Sequence, residues 1–169
     1  EIGQDARSFS SALDSAMRQA PDIILVGEVR NEEEVDALLR ASETGHLTLS
    51  TMHTKSAAST INRIKSLYSG SDQLRVLASL SDVARGFANQ VLVKDKQGGR
   101  FAVREVLSVD EEVSDLIASG DVAGIRRYQI EHEKTMEHGL ADAVLRGKCT
   151  LDEARRVSQY RGLFDSLIN

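Results

Sequence analysis

The tetrad Ile23-Ile24-Leu25-Val26 constrains this chain more than any other stretch. Pro21-Asp22 precedes it and Gly27-Glu28-Val29-Arg30 follows, so a proline and a glycine bound four consecutive apolar residues. Such a run reads as a short strand buried on both faces, the kind found in parallel sheets sandwiched between helices. The fold class that follows is α/β. Open α/β sheets place their chemistry outside the carboxyl ends of the strands, and Glu28 lies just past that end. In nucleoside triphosphatases a carboxylate at this place, the Walker B position, holds Mg²⁺ or its water and orients the attacking water. The plainer alternative is a solvated turn carboxylate that caps the next helix.

A second stretch, Ala41 to Thr54, contains a helix end, a strand and a polar exit. From His46 to Thr51, Leu47 and Leu49 alternate with small polar residues, which predicts another sheet strand. His53 follows it, on the same sheet edge as Glu28 if the two strands run parallel. A histidine or threonine hydroxyl there can hydrogen-bond a γ-phosphate and lose that bond on hydrolysis. A lone histidine after a strand is more often a satisfied core or turn residue.

Taken together, the two stretches resemble the secretion and pilus motor ATPases of the type II/type IV family. The Walker B of that family reads close to Pro-Asp-x-x-x-x-Gly-Glu-x-Arg, and its His box close to Thr-Gly-His-x-x-x-x-Thr-x-His-Thr. Here both occur in order, as Pro21 to Arg30 and Thr44 to Thr54, followed by the similar Ser56 to Arg63. The likeness is greatest to the PilT-type retraction branch and covers residues 6–109, more loosely the rest. It implies the C-terminal part of a RecA-like nucleotide-binding core, followed by a small all-helical domain. It also implies ATP and Mg²⁺ as cofactors, with Glu28 as the catalytic carboxylate that contacts the metal through water. His53 matches the phosphate sensor, and Thr51, His46 and Arg30 complete the nucleotide-sensing set. For His46, at a helix-to-strand turn, a structural role is the alternative. Two departures stand out. Arg30-Asn31 replaces the usual Arg-Asp, and Glu112 to Ile117 keeps the apolar positions of the branch's Ala-Ile-Arg-Asn-Leu-Ile but loses its arginine.

With 169 residues, 41% of them hydrophobic, the chain can bury a real core in one or two domains. A net charge of −5 argues against a nucleic-acid translocase, which would show a basic strip, so no direct nucleic-acid partner is expected. No apolar run approaches the roughly 20 residues of a membrane helix, and no signal-peptide pattern opens the chain. The single cysteine, Cys149, fits a reducing cytosol and excludes the four-cysteine zinc module of some secretion ATPases. The sequence contains no Gly-x-x-x-x-Gly-Lys-[Ser/Thr] phosphate loop and begins at Glu1. The expectation is therefore the second half of a motor whose P-loop and N-terminal domain lie upstream. The resemblance implies a homo-hexamer in the cytoplasm, peripheral at the inner membrane and working with pilus or secretion platform proteins. The competing reading is a catalytically incomplete binding or scaffold module of such a machine.

Periodicity and punctuation predict the remaining elements. Residues 8–20 read as an amphipathic helix closed by Pro21, and Asn31 with Glu34 as the capped start of another that ends at Gly45. Helices over 57–67 and from Ser71 to Ala84 precede a hairpin of strands 90–94 and 101–107, on which Arg104 and Glu105 read as ordinary surface charges. The core part is assigned to residues 1–109 and the helical domain to 110–169. The latter reads as segments near 110–119, 121–129, 133–146 and 150–159, separated by Gly120, Gly139 and Gly147.

Overall fold

Side-chain caps and left-handed glycines cut the chain into short elements. The computed structural model describes residues 3–4 and 6–169; Glu1, Ile2 and Asp5, at the start of the stretch assigned to the core, lie outside them. In order the elements are α1 (Phe9–Met17), β1 (Ile23–Val26), α2 (Glu32–Glu43), β2 (Leu47–Ser50), α3 (Ala57–Leu67), α4 (Asp72–Val83), β3 (Gly86–Lys94) and β4 (Arg100–Ser108). Five helices complete the chain: α5 (Glu111–Ser119), α6 (Val122–Glu131), α7 (Met136–Leu145), α8 (Leu151–Val157) and α9 (Arg161–Ile168).

Helix α2 shows how the ends are set. The Asn31 side chain accepts from the Glu34 N–H at 3.0 Å, while the Glu34 carboxylate accepts from the N–H of Arg30, one residue further back than a capping box requires. At the other end Gly45 takes φ 95°, its N–H reaching the Ser42 carbonyl and the His46 N–H that of Ala41. That pair of bonds is a Schellman ending, and it turns the chain directly into β2.

Strands β1 and β2 pair in parallel, Ile23 opposite Leu47 through Val26 opposite Ser50. Burial on both faces of β1 is not what the structure shows. Ile24 and Val26 enter the core, but Ile23 is 57% and Leu25 74% exposed, as are Leu47 and Leu49 to about half. A continuous apolar run predicts strand pleating, yet helices of this chain cover only one of the two faces it creates. Strands β3 and β4 form a separate antiparallel hairpin, in register from Gly86 with Ser108 to Lys94 with Arg100. Its turn is held by Asp95, whose carboxylate accepts from the Gln97 and Gly99 N–H groups.

Two clusters of buried side chains hold these pieces together. The first runs from Leu13 through β1, α2, α3 and α4 to Leu107, and includes Val113 and Ile117 of α5 and Ile125 and Tyr128 of α6. The second joins Val93 and Val103 of the hairpin to Leu140 of α7, Ala154 of α8 and Phe164 of α9. The hairpin thus contributes to both.

Four local expectations are corrected. The first helix is shorter than 8–20, ending at Met17, and the chain turns at Ala20 (φ 49°) ahead of Pro21. Gly139 does not separate two segments but lies inside α7, where an added Cβ would stand 2.8 Å from Val103 Cγ1. Helix α9 was not foreseen; its first residue follows Tyr160, which offers no side-chain cap. Instead Glu137, 1% exposed in α7, accepts from the Gln159 and Tyr160 N–H groups and from Ser158 Oγ, anchoring the α9 start from another helix. The fourth is Glu105, which is not a surface charge: it is 4% exposed.

The close approach at Gly139 gives a stability test. Gly139→Ala should destabilise the fold by about 1–3 kcal/mol, because stiff, buried Val103 cannot retreat without disturbing its neighbours. Urea unfolding of the full protein measures this, and an unchanged midpoint would show that α7 can lift off the hairpin freely.

Candidate functional site

Parallel pairing brings the carboxyl ends of β1 and β2 to one edge, and the residues that leave both strands converge there. The backbone ties the two exits together: the Val29 N–H donates to the Thr51 carbonyl at 3.1 Å, and Thr51 Oγ1 donates to the Gly27 carbonyl at 2.6 Å. Between these bonds Glu28 and His53 face each other, with His53 Nε2 3.3 Å from Glu28 Oε1. The second oxygen, Oε2, receives the Arg30 guanidinium. Glu28 is 24% exposed, whereas His53 is 92% and Arg30 73% exposed, so the carboxylate is the fixed member and the other two approach it from solvent.

This arrangement has an electrostatic consequence. The hydrogen bond from Arg30 holds the Glu28 carboxyl below the usual carboxylate range, aided by the charge of Arg30 and by His53, while partial burial pushes the other way. The Arg30 guanidinium is held protonated more firmly in turn. An ionised carboxylate with both oxygens engaged orients a polar partner well but is a weak base. Exposure keeps each of these contacts individually weak, as surface ion pairs are.

Of the residues singled out in the sequence, four meet at this edge: Glu28, Arg30, Thr51 and His53. His46 does not. It lies at the opposite end of β2, its Nδ1 3.0 Å from the Ala41 carbonyl and 3.2 Å from Thr44 Oγ1, within the Schellman turn. A four-residue strand separates it from the edge, roughly 13 Å at strand rise. Among the described residues no group of three or more His, Cys, Asp or Glu side chains is placed to hold a metal. The donor set at the edge is one carboxylate, which suits an ion such as Mg²⁺ that keeps most of its ligands as water and substrate phosphate.

A cleft of about 620 Å³ opens beside this edge. The second edge of β2 lines one side, with Val29, Thr51 and Met52 near the carboxyl end, and Gly86 to Asn89 of β3 line the other. Among the described residues β2 pairs with β1 alone.

A parallel β-pair with a carboxylate and a histidine leaving its carboxyl edge, flanked by helices, places the chain in the α/β class with its polar residues gathered at the carboxyl ends of the strands. Residues 3–156 match the family described as type II/IV secretion system protein, and the chain belongs to that family. It is 36% identical over 164 residues to a twitching motility protein of Neisseria gonorrhoeae, covering 94% of this chain and 44% of that protein. It is 41% identical over 123 residues to the type IV pilus retraction ATPase PilT of Pseudomonas aeruginosa, covering 73% of this chain and 36% of that one. Its fold superposes on a pilus retraction motor PilT with bound ADP at a TM-score of 0.85 and 36% identity, covering 94% of this chain and 46% of that chain. The ATPase DotB of Legionella pneumophila superposes at 0.82 with 27% identity, covering 93% and 44%. The chain therefore spans less than half the length of these relatives, and within that span it is the C-terminal part of a RecA-like core with its following helices.

The Arg30–Glu28 contact yields a titration test. Glu28 is kept ionised to lower pH than a free glutamate, so the folded site still carries this charge at the pH where a free glutamate takes up its proton and loses it only as pH falls further. In Arg30→Ala the Glu28 carboxyl carbon, followed by NMR, should titrate at higher pH than in the parent. An unchanged midpoint would mean that Arg30 does not set the charge of Glu28 in solution.

Proposed function

We propose that the chain is the hydrolytic and sensing half of an ATP-driven motor of pilus dynamics or type II/type IV secretion. The observation that carries this reading is the Glu28–His53 juxtaposition at the carboxyl edge of the β1–β2 pair. The ATPases named among its relatives support the reaction class. In this reading Glu28 orients the attacking water and would hold Mg²⁺ through water. His53, nearly free in solvent, swings toward the γ-phosphate and releases it after cleavage, and Thr51 fixes the exit of β2 beneath it. Arg30 holds the carboxylate charged until substrate enters. Mg²⁺, when bound, would neutralise charge on the phosphates. His46 supports the set only as a strand-end anchor.

The phosphate-cradling loop is assigned to an upstream segment of the same protein. The cleft between β2 and β3, flanked by an unpaired strand edge, supports entry of a further strand there. The exposed Ile23, Leu25, Leu47 and Leu49 support a covering layer on the second face. Residues 1–109 are assigned to the core and 110–169 to the helical domain. The assembled protein is proposed to be a hexamer at the cytoplasmic face of the inner membrane, docked on a pilus or secretion platform and without direct nucleic-acid contact. Among the described residues no helix is long and apolar enough to cross a membrane.

Two measurements test the reading. The 169-residue chain alone should bind MgATP weakly and not hydrolyse it, and calorimetry giving a micromolar Kd would mean that it carries its own phosphate site. In the full-length protein Glu28→Gln keeps size and hydrogen bonding but removes the charge. Its turnover should fall by roughly 10²–10⁴-fold while ATP still binds. Turnover within a few-fold of the parent would return Glu28 to the role of a turn carboxylate.

A further inference from the structure

Glu105 lies in the middle of β4, and its buried carboxylate touches the first turns of two helices that are distant in sequence. Oε1 accepts from the Ala57 N–H of α3 at 2.7 Å, and Oε2 accepts from the Met136 N–H of α7 at 3.3 Å. A helix N-terminus carries on the order of half a positive charge, so two of them together offset one carboxylate without a lysine or arginine. The register adds a second observation. Glu105 is directly opposite Asn89 on β3, and paired residues project from the same face of a hairpin. Asn89 Nδ2 donates to the Thr54 carbonyl at 3.1 Å. The two side chains therefore grip the segment right after His53 at two points, Thr54 and Ala57. Thr54 Oγ1 is fixed further by Thr60 Oγ1 at 2.7 Å, and the start of α3 by the reciprocal Ser56–Ser59 cap.

We propose that the cross-strand pair Asn89–Glu105 is a positioning clamp that sets where His53 stands against Glu28 and ties that placement to the start of α7. This rests on the ATPase reading for its kinetic consequence but not for its geometry. Neither residue touches the site. They act through the six-residue span from Thr51 to Ser56, whose near end is fixed by Thr51 on Gly27. A shift of α7 carries Glu105 with it and reaches the His53 segment through the bond from Ala57 to Oε1.

Glu105→Gln and Asn89→Ala in the full-length protein test this. The glutamine must turn an NH₂ toward one of two backbone N–H donors, so one grip is lost. Misplacement of a positioned group by about 1 Å costs up to roughly 10²-fold, so kcat for MgATP in Glu105→Gln should fall about 10-fold or more with KM within about twofold. In a His53→Ala background the same change should cost less than about twofold, because the residue it acts through is gone. Asn89→Ala leaves both helix caps intact and should lower kcat several-fold with the same dependence on His53, which keeps the test available if Glu105→Gln does not fold. Losses that simply multiply with His53→Ala, or that fall equally on KM, would overturn the clamp in favour of a general packing role. The imidazole resonance of His53 in the unliganded full-length protein is the readout independent of activity. It should move in both variants while that of His46 stays in place, and an unmoved His53 signal overturns the clamp. A parent protein that does not hydrolyse ATP would defeat the ATPase reading, and the resonance would still decide the clamp.

Discussion

The parallel ladder between Ile23–Val26 and Leu47–Ser50 is the constraint on which the site depends. In an antiparallel pair Glu28 and His53 would leave from opposite ends, some 13 Å apart at strand rise. Parallel pairing requires a crossover, and α2 supplies it within twenty residues, closed at one end by Asn31 and at the other by Gly45. The acidic first turn of α2 and its glycine ending are thus as much part of the site's architecture as the residues that meet there.

The α/β class and the gathering of Glu28 and His53 at one sheet edge were legible in the sequence, with Arg30 and Thr51 added by the family resemblance, but the surroundings of that edge were not. Glu28, Arg30, Thr51 and His53 sit at strand exits, and strand exits can be read from short apolar runs and the polar residues that end them. The second face of β1 was not legible, because Ile-Ile-Leu-Val records that both faces are apolar but not what covers them. Glu105 was missed for a related reason. Its charge argues for the outer face, although it falls in step with inward-facing Val103 and Leu107 on β4, and two helix N-termini, contributed from positions 57 and 136, make that inward placement favourable. Helix α9 was illegible because the group that caps it, Glu137, lies more than twenty residues away.

The buried polar residues share a pattern. Glu105, on β4, and Glu137, on α7, each accept at the start of a helix elsewhere in the chain. Tyr68 fastens α3 to α2, its hydroxyl lying 3.1 Å from the Glu32 carbonyl and 3.0 Å from Asp36 Oδ1. Burial and the bond to Asp36 push the Tyr68 hydroxyl well above the usual tyrosine range, so it remains a donor at any working pH. Among the described residues no buried side-chain nitrogen or oxygen lacks a partner. Short elements with few apolar contacts each are located by these long-range caps, which fix angle and register where burial alone would allow sliding.

Gly139 has a mechanical consequence. Helix α7 meets β4 with no side chain between its backbone and Val103, and close-packed interiors do not compress. Such a joint has no room for shear, since sliding would drive the next residues of α7, which do carry a Cβ, into the strand. Helix and hairpin must therefore travel as one rigid lever, and any rotation of the C-terminal helices has to be absorbed at hinges. The positive φ of 55° at Glu133, just before α7, belongs to the ending of α6, where the Glu133 and Lys134 N–H groups reach the Ile130 and Gln129 carbonyls.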